Sequence, residues 1–268
     1  MNRIERMFQE KRQAGQKALV LFITAGYPSL DFTKALLPKL AEWGCDLVEL
    51  GVPFSDPIAD GPTIQYSSNE ALKAGVTVRK ILSTIPPVRE RSEVPVILFS
   101  AVNPLLKYGL EAIADDAKAA GADGFLIPDV PLEEGDEARS ICSERELSLV
   151  FLTAPTSPVE RLRRIAEAST GFIYYIAQRG VTGARTEIAA DLADKIGELR
   201  GVTDKPVAVG FGVSTPEHAR QVAQVADGVI VGSALINKIR EAIANGADSD
   251  EAILAHLEPY VRSLAEAL

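Results

Sequence analysis

Glu49 stands in the apolar run Asp46–Leu50 and is followed by Gly51-Val52-Pro53-Phe54-Ser55-Asp56-Pro57-Ile58-Ala59-Asp60-Gly61-Pro62. A carboxylic acid pointing into a buried interior is disfavoured in its charged form, so its pKa rises and it can give and take protons near neutral pH. The same residue could instead pair with a buried donor and only hold the fold together. Asp60 lies in a segment rich in proline and glycine. A loop of that kind can fold over a site and bring a second carboxylate to a substrate. An Asx-type turn or cap is the competing role for Asp60, and still more for Asp56. One positioned proton donor typically contributes ~10²–10⁴-fold to a rate.

Three glycine motifs follow later apolar runs: Gly180-Val181-Thr182-Gly183-Ala184, Gly210-Phe211-Gly212-Val213-Ser214 and Gly232-Ser233-Ala234. Glycine lets backbone N–H groups approach an anion, and a helix N-terminus adds partial positive charge. Each motif alone could be a tight turn; two at consecutive strand ends point to a phosphate site. Arg179 and Arg185 could assist, or form exposed salt bridges. Phe22, Ile127, Tyr175 and Phe211 fall near strand ends and could line an apolar pocket or belong to the core. These parts together suit a phosphate-bearing molecule with an apolar body, acted on by two carboxylates. No dinucleotide-binding or P-loop signature is present.

Eight short apolar runs must position these groups: Ala18–Thr24, Asp46–Leu50, Val94–Ser100, Gly124–Ile127, Ser148–Thr153, Phe172–Ile176, Pro206–Gly210 and Gly228–Val231. Most lack polar alternation, as strands buried on both faces of a parallel sheet do. Helical segments lie between them. Ser157-Pro158-Val159-Glu160 reads as a capping box and Thr215-Pro216 as another helix start. Gly44, Gly121 and Gly197 fall where helices should end, and Pro38 should break or kink Phe32–Trp43. Eight strand–helix repeats in 268 residues make one α/β domain over residues 1–268, a (β/α)8 TIM barrel. Additional N- and C-terminal helices are expected over Asn2–Gln13 and Ser249–Leu268. A doubly wound sheet is the alternative. In such barrels the site lies at the C-terminal ends of the strands, with phosphate after strands seven and eight.

Hydrophobic residues make up 47% of the chain and charged residues 24%, which is globular rather than disordered. The formal charge of −9 argues against a nucleic-acid partner. Cys45 and Cys142 lack metal-site spacing and read as buried reduced thiols; two histidines make a His-based metal cage improbable, so no metal is expected. No apolar run approaches the ~18 residues of a membrane span, and the N-terminus lacks the apolar core of a signal peptide. A soluble, cytoplasmic protein is expected.

The segment Val48–Pro62 resembles the signature of the tryptophan synthase alpha subunit family. Similarity extends to Phe22-Ile23-Thr24-Ala25-Gly26-Tyr27-Pro28, Asn103-Pro104, Tyr108-Gly109, Pro128-Asp129-Val130-Pro131 and the three glycine motifs, nearly the whole chain. The resemblance implies a (β/α)8 barrel that cleaves indole-3-glycerol phosphate to indole and glyceraldehyde 3-phosphate by a reversible retro-aldol reaction. It implies Glu49 as the acid–base residue that protonates indole C3, and Asp60 as the acceptor for the indole N–H. Gly183, Gly212, Gly232 and Ser233 would bind phosphate; Phe22, Ile127, Tyr175 and Phe211 would bracket the indole; Thr182 would belong to a closing loop. Pro53 and Asp56 would meet a partner beta subunit, in an alpha2beta2 assembly, that carries pyridoxal phosphate and uses the indole for L-tryptophan. This chain itself would need no cofactor. Gln178-Arg179 and Ala101-Val102 depart from the family pattern. A freestanding lyase that releases indole and a catalytically silent, ligand-binding barrel are the competing readings.

Overall fold

The computed structural model describes residues 2–57, 60–177, 185–210 and 212–268, with residues 185–191 described by their backbone. The strands are β1 (Ala18–Thr24), β2 (Leu47–Gly51), β3 (Val96–Phe99), β4 (Gly124–Leu126), β5 (Ser148–Val150), β6 (Leu152–Thr153), β7 (Ile173–Ile176), β8 (Val207–Gly210) and β9 (Gly228–Val231). They form one sheet in the order β5-β4-β3-β2-β1-β9-β8-β7-β6, and every pairing is parallel. Only Phe151 separates β5 from β6, so the two ends of the sheet are halves of one interrupted strand. β5 pairs with β4 and β6 with β7. The expected fifth strand, Ser148–Thr153, is therefore one barrel strand broken at Phe151, and eight strand positions close into the expected barrel.

Parallel register puts laterally paired residues on the same face, and side chains alternate along each strand. Val20 pairs with Leu47 and Phe22 with Glu49; Glu49 pairs in turn with Ile97. These positions face the lumen. The lower lumen is filled by Val20, Leu47, Ile97, Leu126, Val150 and Phe172. Its open end is plugged by the N-terminal helix Arg3–Ala14, which inserts Ile4, Met7 and Phe8. The Phe8 and Phe172 rings meet at 5.5 Å between centroids. Asn2 caps that helix through the Glu5 N–H and donates from Nδ2 to Ser148 Oγ at 2.6 Å. The alternate residues, such as Val48, Leu50 and Leu98, pack outward under the helices in the larger core. The C-terminal helix Asp250–Ala265 buries Ile253, Leu257, Val261 and Leu264.

Local expectations met mixed outcomes. Thr215 caps the helix Pro216–Ala223, and Gly121 ends its helix in the left-handed conformation, φ 91°. The capping box at Ser157 does not form. The helix there begins at Val159 with Pro158 at its cap position, while Ser157 Oγ accepts a bond from the Ala154 N–H instead. Gly197 ends nothing; it lies within the helix Arg185–Arg200. The helix Leu30–Glu42 runs unbroken through Pro38. The proline ring is buried there with Leu36, Leu37 and Leu40, and that packing offsets one missing backbone hydrogen bond. Cys45 and Cys142 are buried and unbridged. Among the described residues, no helix is long and apolar enough to cross a membrane, and no group of three or more His, Cys, Asp or Glu could hold a metal ion.

Candidate active site

Above the packed half of the lumen, three inward positions at the strand ends are glycine: Gly51, Gly210 and Gly232. A Cβ at Gly51 would run into the Phe22 ring, and one at Gly210 into the Tyr174 phenol. Gly210 and Gly232 line a cavity of about 480 Å³ at the C-terminal ends of the strands, and Gly51 lines a smaller one beside it. The larger volume falls in the ~300–1,000 Å³ range of small-molecule sites. Gly210→Ala is expected to keep the fold but cost about 1–3 kcal/mol, because the added methyl displaces the Tyr174 ring. Urea unfolding measures that loss.

Glu49 lines this cavity. Its neighbours Val48 and Leu50 point outward, so strand alternation turns its carboxyl inward, where it is 1% exposed. Neither carboxyl oxygen has a hydrogen-bond partner among the described residues. Burial pushes its pKa from 4.5 to about 8. Beneath it lie the apolar side chains that fill the lower lumen. The competing structural role, pairing with a buried donor, therefore has no donor to rest on among the described residues. A proton donor or acceptor with free valences must direct them toward whatever enters from above.

Asp60 lines the same cavity from the segment before the helix Pro62–Lys73. Burial raises its carboxyl pKa as well. The helix has no side-chain cap, Gly61 standing at that position, so the Asp60 carboxylate is not used as one. Its backbone carbonyl accepts a bond from Gln65 Nε2 at 2.8 Å. Phe22 forms an apolar wall, its ring edge-to-face with Phe99 at 5.4 Å.

Gly212, Gly232 and Ser233 line the cavity too. Gly212 has φ 72°, a conformation that suits glycine. Ser233 opens the helix Ser233–Ala244, whose first N–H groups have no intrahelical acceptor and carry partial positive charge. No lysine or arginine lines the cavity among the described residues. Thr182, Gly183 and Phe211, together with Arg179, lie outside the described residues, as does the side chain of Arg185. Pro53 is buried and Asp56 exposed, its carboxylate accepting from Ser55 Oγ at 2.8 Å. Asp56 reaches a smaller adjoining cavity of about 220 Å³ that shares Phe22, Asp60 and Phe99 with the first.

Two pocket residues expected from sequence are corrected. Tyr175 is 2% exposed and Ile127 7% exposed, and both pack in the outer core between sheet and helices. On β7 the lumen-facing residues are Tyr174 and Ile176, and both line the cavity. A shift of one residue along a strand exchanges its faces. Burial and the charge of Glu49 hold the Tyr174 hydroxyl well above its ordinary pKa. Sequence reading also missed Phe99, Leu152, Ile230 and Asn237 on the cavity wall. Lateral register with Phe22 and Glu49 is the signal that finds the strand residues, and it needs the strand pairing to be known.

A closed parallel barrel with a raised-pKa acid in a cavity at the strand ends defines a (β/α)8-barrel enzyme of the acid–base kind. The sequence model of the family described as "Tryptophan synthase alpha chain" matches residues 8–268. The chain belongs to that family, whose members are carbon–carbon lyases acting on indole-3-glycerol phosphate. The tryptophan synthase alpha chain of Geobacter sulfurreducens is 51% identical over 88% of this chain and 89% of its own. That of Caldanaerobacter subterraneus subsp. tengcongensis is 44% identical over the full length of both. Among solved structures, tryptophan synthase subunit alpha from Legionella pneumophila superposes with a TM-score of 0.91 at 35% identity, covering 100% of this chain and 98% of that one.

Proposed function

We propose that Glu49 and Asp60 together carry out the cleavage of indole-3-glycerol phosphate in this chain. The observation that carries this reading is Glu49 itself: a buried carboxyl, unpartnered among the described residues, with a pKa of about 8, on the wall of the cavity that Asp60 also lines. Protonated Glu49 delivers its proton to indole C3, making the ring an indolenine and weakening the bond from C3 to the glycerol carbon. Asp60 accepts the indole N–H and offsets the positive charge that develops on the ring. As the bond breaks, its electrons return to the ring and the side-chain hydroxyl becomes the aldehyde of glyceraldehyde 3-phosphate. The hydroxyl proton passes to the carboxylate left on Glu49, which restores the acid. One group serves both transfers when its pKa lies near the working pH.

The phosphate sits at Gly212, Gly232 and Ser233, with Gly183, held by backbone N–H groups rather than by a cationic side chain. Phe22, Phe99 and Tyr174 enclose the indole, with Phe211, and exclude water from the reacting carbon. Thr182 belongs to the loop that closes over Asp60. Pro53 and Asp56 lie on the face that meets a beta subunit, whose pyridoxal phosphate uses the indole. The proposed place of work is the cytoplasm.

The test is indole release from indole-3-glycerol phosphate by the purified chain, with and without a beta subunit. Slow release that the partner accelerates is the expected result. Fast release indifferent to the partner would instead mark a freestanding lyase, and bound substrate without indole a silent barrel. Asp60→Asn is expected to lower kcat about 10²-fold or more, the scale of a lost electrostatic partner, with substrate affinity changed only a few-fold. Unchanged kcat would remove Asp60 from the chemistry.

A further inference from the structure

The helices Pro62–Lys73 and Ser233–Ala244 both pack against β1 and against each other. On their outer side is a second cavity of about 420 Å³, lined by Tyr27, Tyr66, Asn237, Arg240, Glu241 and Ile243. It is separate from the catalytic cavity but shares one wall residue with it, Asn237. Its volume exceeds the ~300 Å³ at which small-molecule sites begin.

The lining has a definite chemistry. The Tyr27 and Tyr66 rings stand edge-to-face, 6.0 Å apart at 79°. Tyr27 is buried, while Tyr66 is 43% exposed, an uncovered aromatic surface on the cavity wall. The Arg240 guanidinium lies 4.3 Å over the Tyr66 ring centroid. Arg240 has no carboxylate within ion-pair distance among the described residues. The neighbouring charges are matched: Lys238 pairs with Glu241 at 2.7 Å, and Glu241 also faces His256 at 3.8 Å. Arg240 is thus a cation oriented by stacking whose donors are left open to the cavity, beside two rings and the exposed Ile243.

We propose that this cavity is a second ligand site, and that it takes a small aromatic carboxylate. The carboxylate pairs with the Arg240 fork, which matches a carboxylate in plane and spacing. The ring packs against Tyr66 and Ile243, with Tyr27 presenting its edge. Glu241 selects against ligands with a second negative charge on that side. Occupancy bears on the catalytic cavity through Asn237, whose Oδ1 accepts the Thr63 hydroxyl at 3.3 Å. Thr63 follows Asp60 by three positions, and Asn237 lies one helical turn beyond Ser233. The site does not depend on the reaction proposed above.

The test titrates the 15N-labelled full chain with 2-naphthoate and follows its amide resonances. Acetate supplies the carboxylate alone and 2-naphthol the ring alone. Saturable shifts at Tyr27, Tyr66, Ile243 and Asn237 are expected with 2-naphthoate. Each half-ligand should bind at least about tenfold more weakly, a loss of about 1.4 kcal/mol. Arg240→Gln, at an exposed helical position, should weaken 2-naphthoate by a similar factor while leaving the spectrum of the free chain otherwise unchanged. Equal binding to the Gln variant, or shifts confined to residues around Glu49 and Gly232, would overturn the proposal. So would 2-naphthol binding as tightly as 2-naphthoate.

Discussion

Glu49→Gln is expected to lower kcat by ~10²–10⁴-fold, the usual worth of one positioned acid–base group, while making the protein more stable at neutral pH. The two effects share one cause. Burial raises the Glu49 pKa from 4.5 to about 8, so the folded chain keeps a proton that the unfolded chain has lost between those values. Stability therefore falls as pH rises through that window. Below pH 4.5 both states are protonated and nothing is lost. At pH 7 the penalty is about 3 kcal/mol by linkage. Glutamine has the shape of the protonated acid and no charge to desolvate. The urea midpoint of the variant should exceed that of the parent at pH 7 to 8, and the difference should vanish on acidification toward pH 4.5. A midpoint difference that ignores pH would mean that Glu49 is solvated or paired in the folded protein.

Phe172→Ala should do the reverse, with a loss of about 3–5 kcal/mol in unfolding free energy, the range for large buried aromatic truncations. Phe172 is fully buried between the barrel lumen and the plug formed by Ile4, Met7 and Phe8. The space left behind is lined by apolar groups and stays dry. Glu49, higher in the lumen, keeps its desolvated surroundings, so kcat should hold within a few-fold at temperatures where the variant is folded. Denaturant unfolding and indole release, measured on one preparation, separate these outcomes. A large fall in kcat with little loss of stability would show that the lumen floor acts on the chemistry directly.

The barrel and the two carboxylates were legible because their signals are local. An acid inside an apolar strand and a carboxylate in a Pro/Gly loop stand out without any knowledge of packing. The choice between Tyr174 and Tyr175 was not local. β7 reads Ile-Tyr-Tyr-Ile, apolar or aromatic at every position, so nothing in it distinguishes lumen from outer core. The same holds for Leu126 against Ile127, which follow one another on opposite faces. Ser157 misled for another reason: its hydroxyl accepts the Ala154 N–H, a local backbone bond that competes with capping. Asn237 could not be found at all from spacing, because it reaches the cavity from the second turn of a helix whose placement depends on the closed barrel.

The plugged lumen also sets an order on biosynthesis. Ile4, Met7 and Phe8 are synthesised well before part of the surface that covers them, which includes Phe172, Ala208 and Ile230. At ~5–20 residues per second, roughly ten to thirty seconds pass between synthesis of Phe8 and of Phe172. Throughout that interval the apolar stripe of the first helix has no native partner from the far side of the barrel. During that interval the nascent chain offers a short amphipathic helix to holding factors, until β9 pairs with β1 and encloses it.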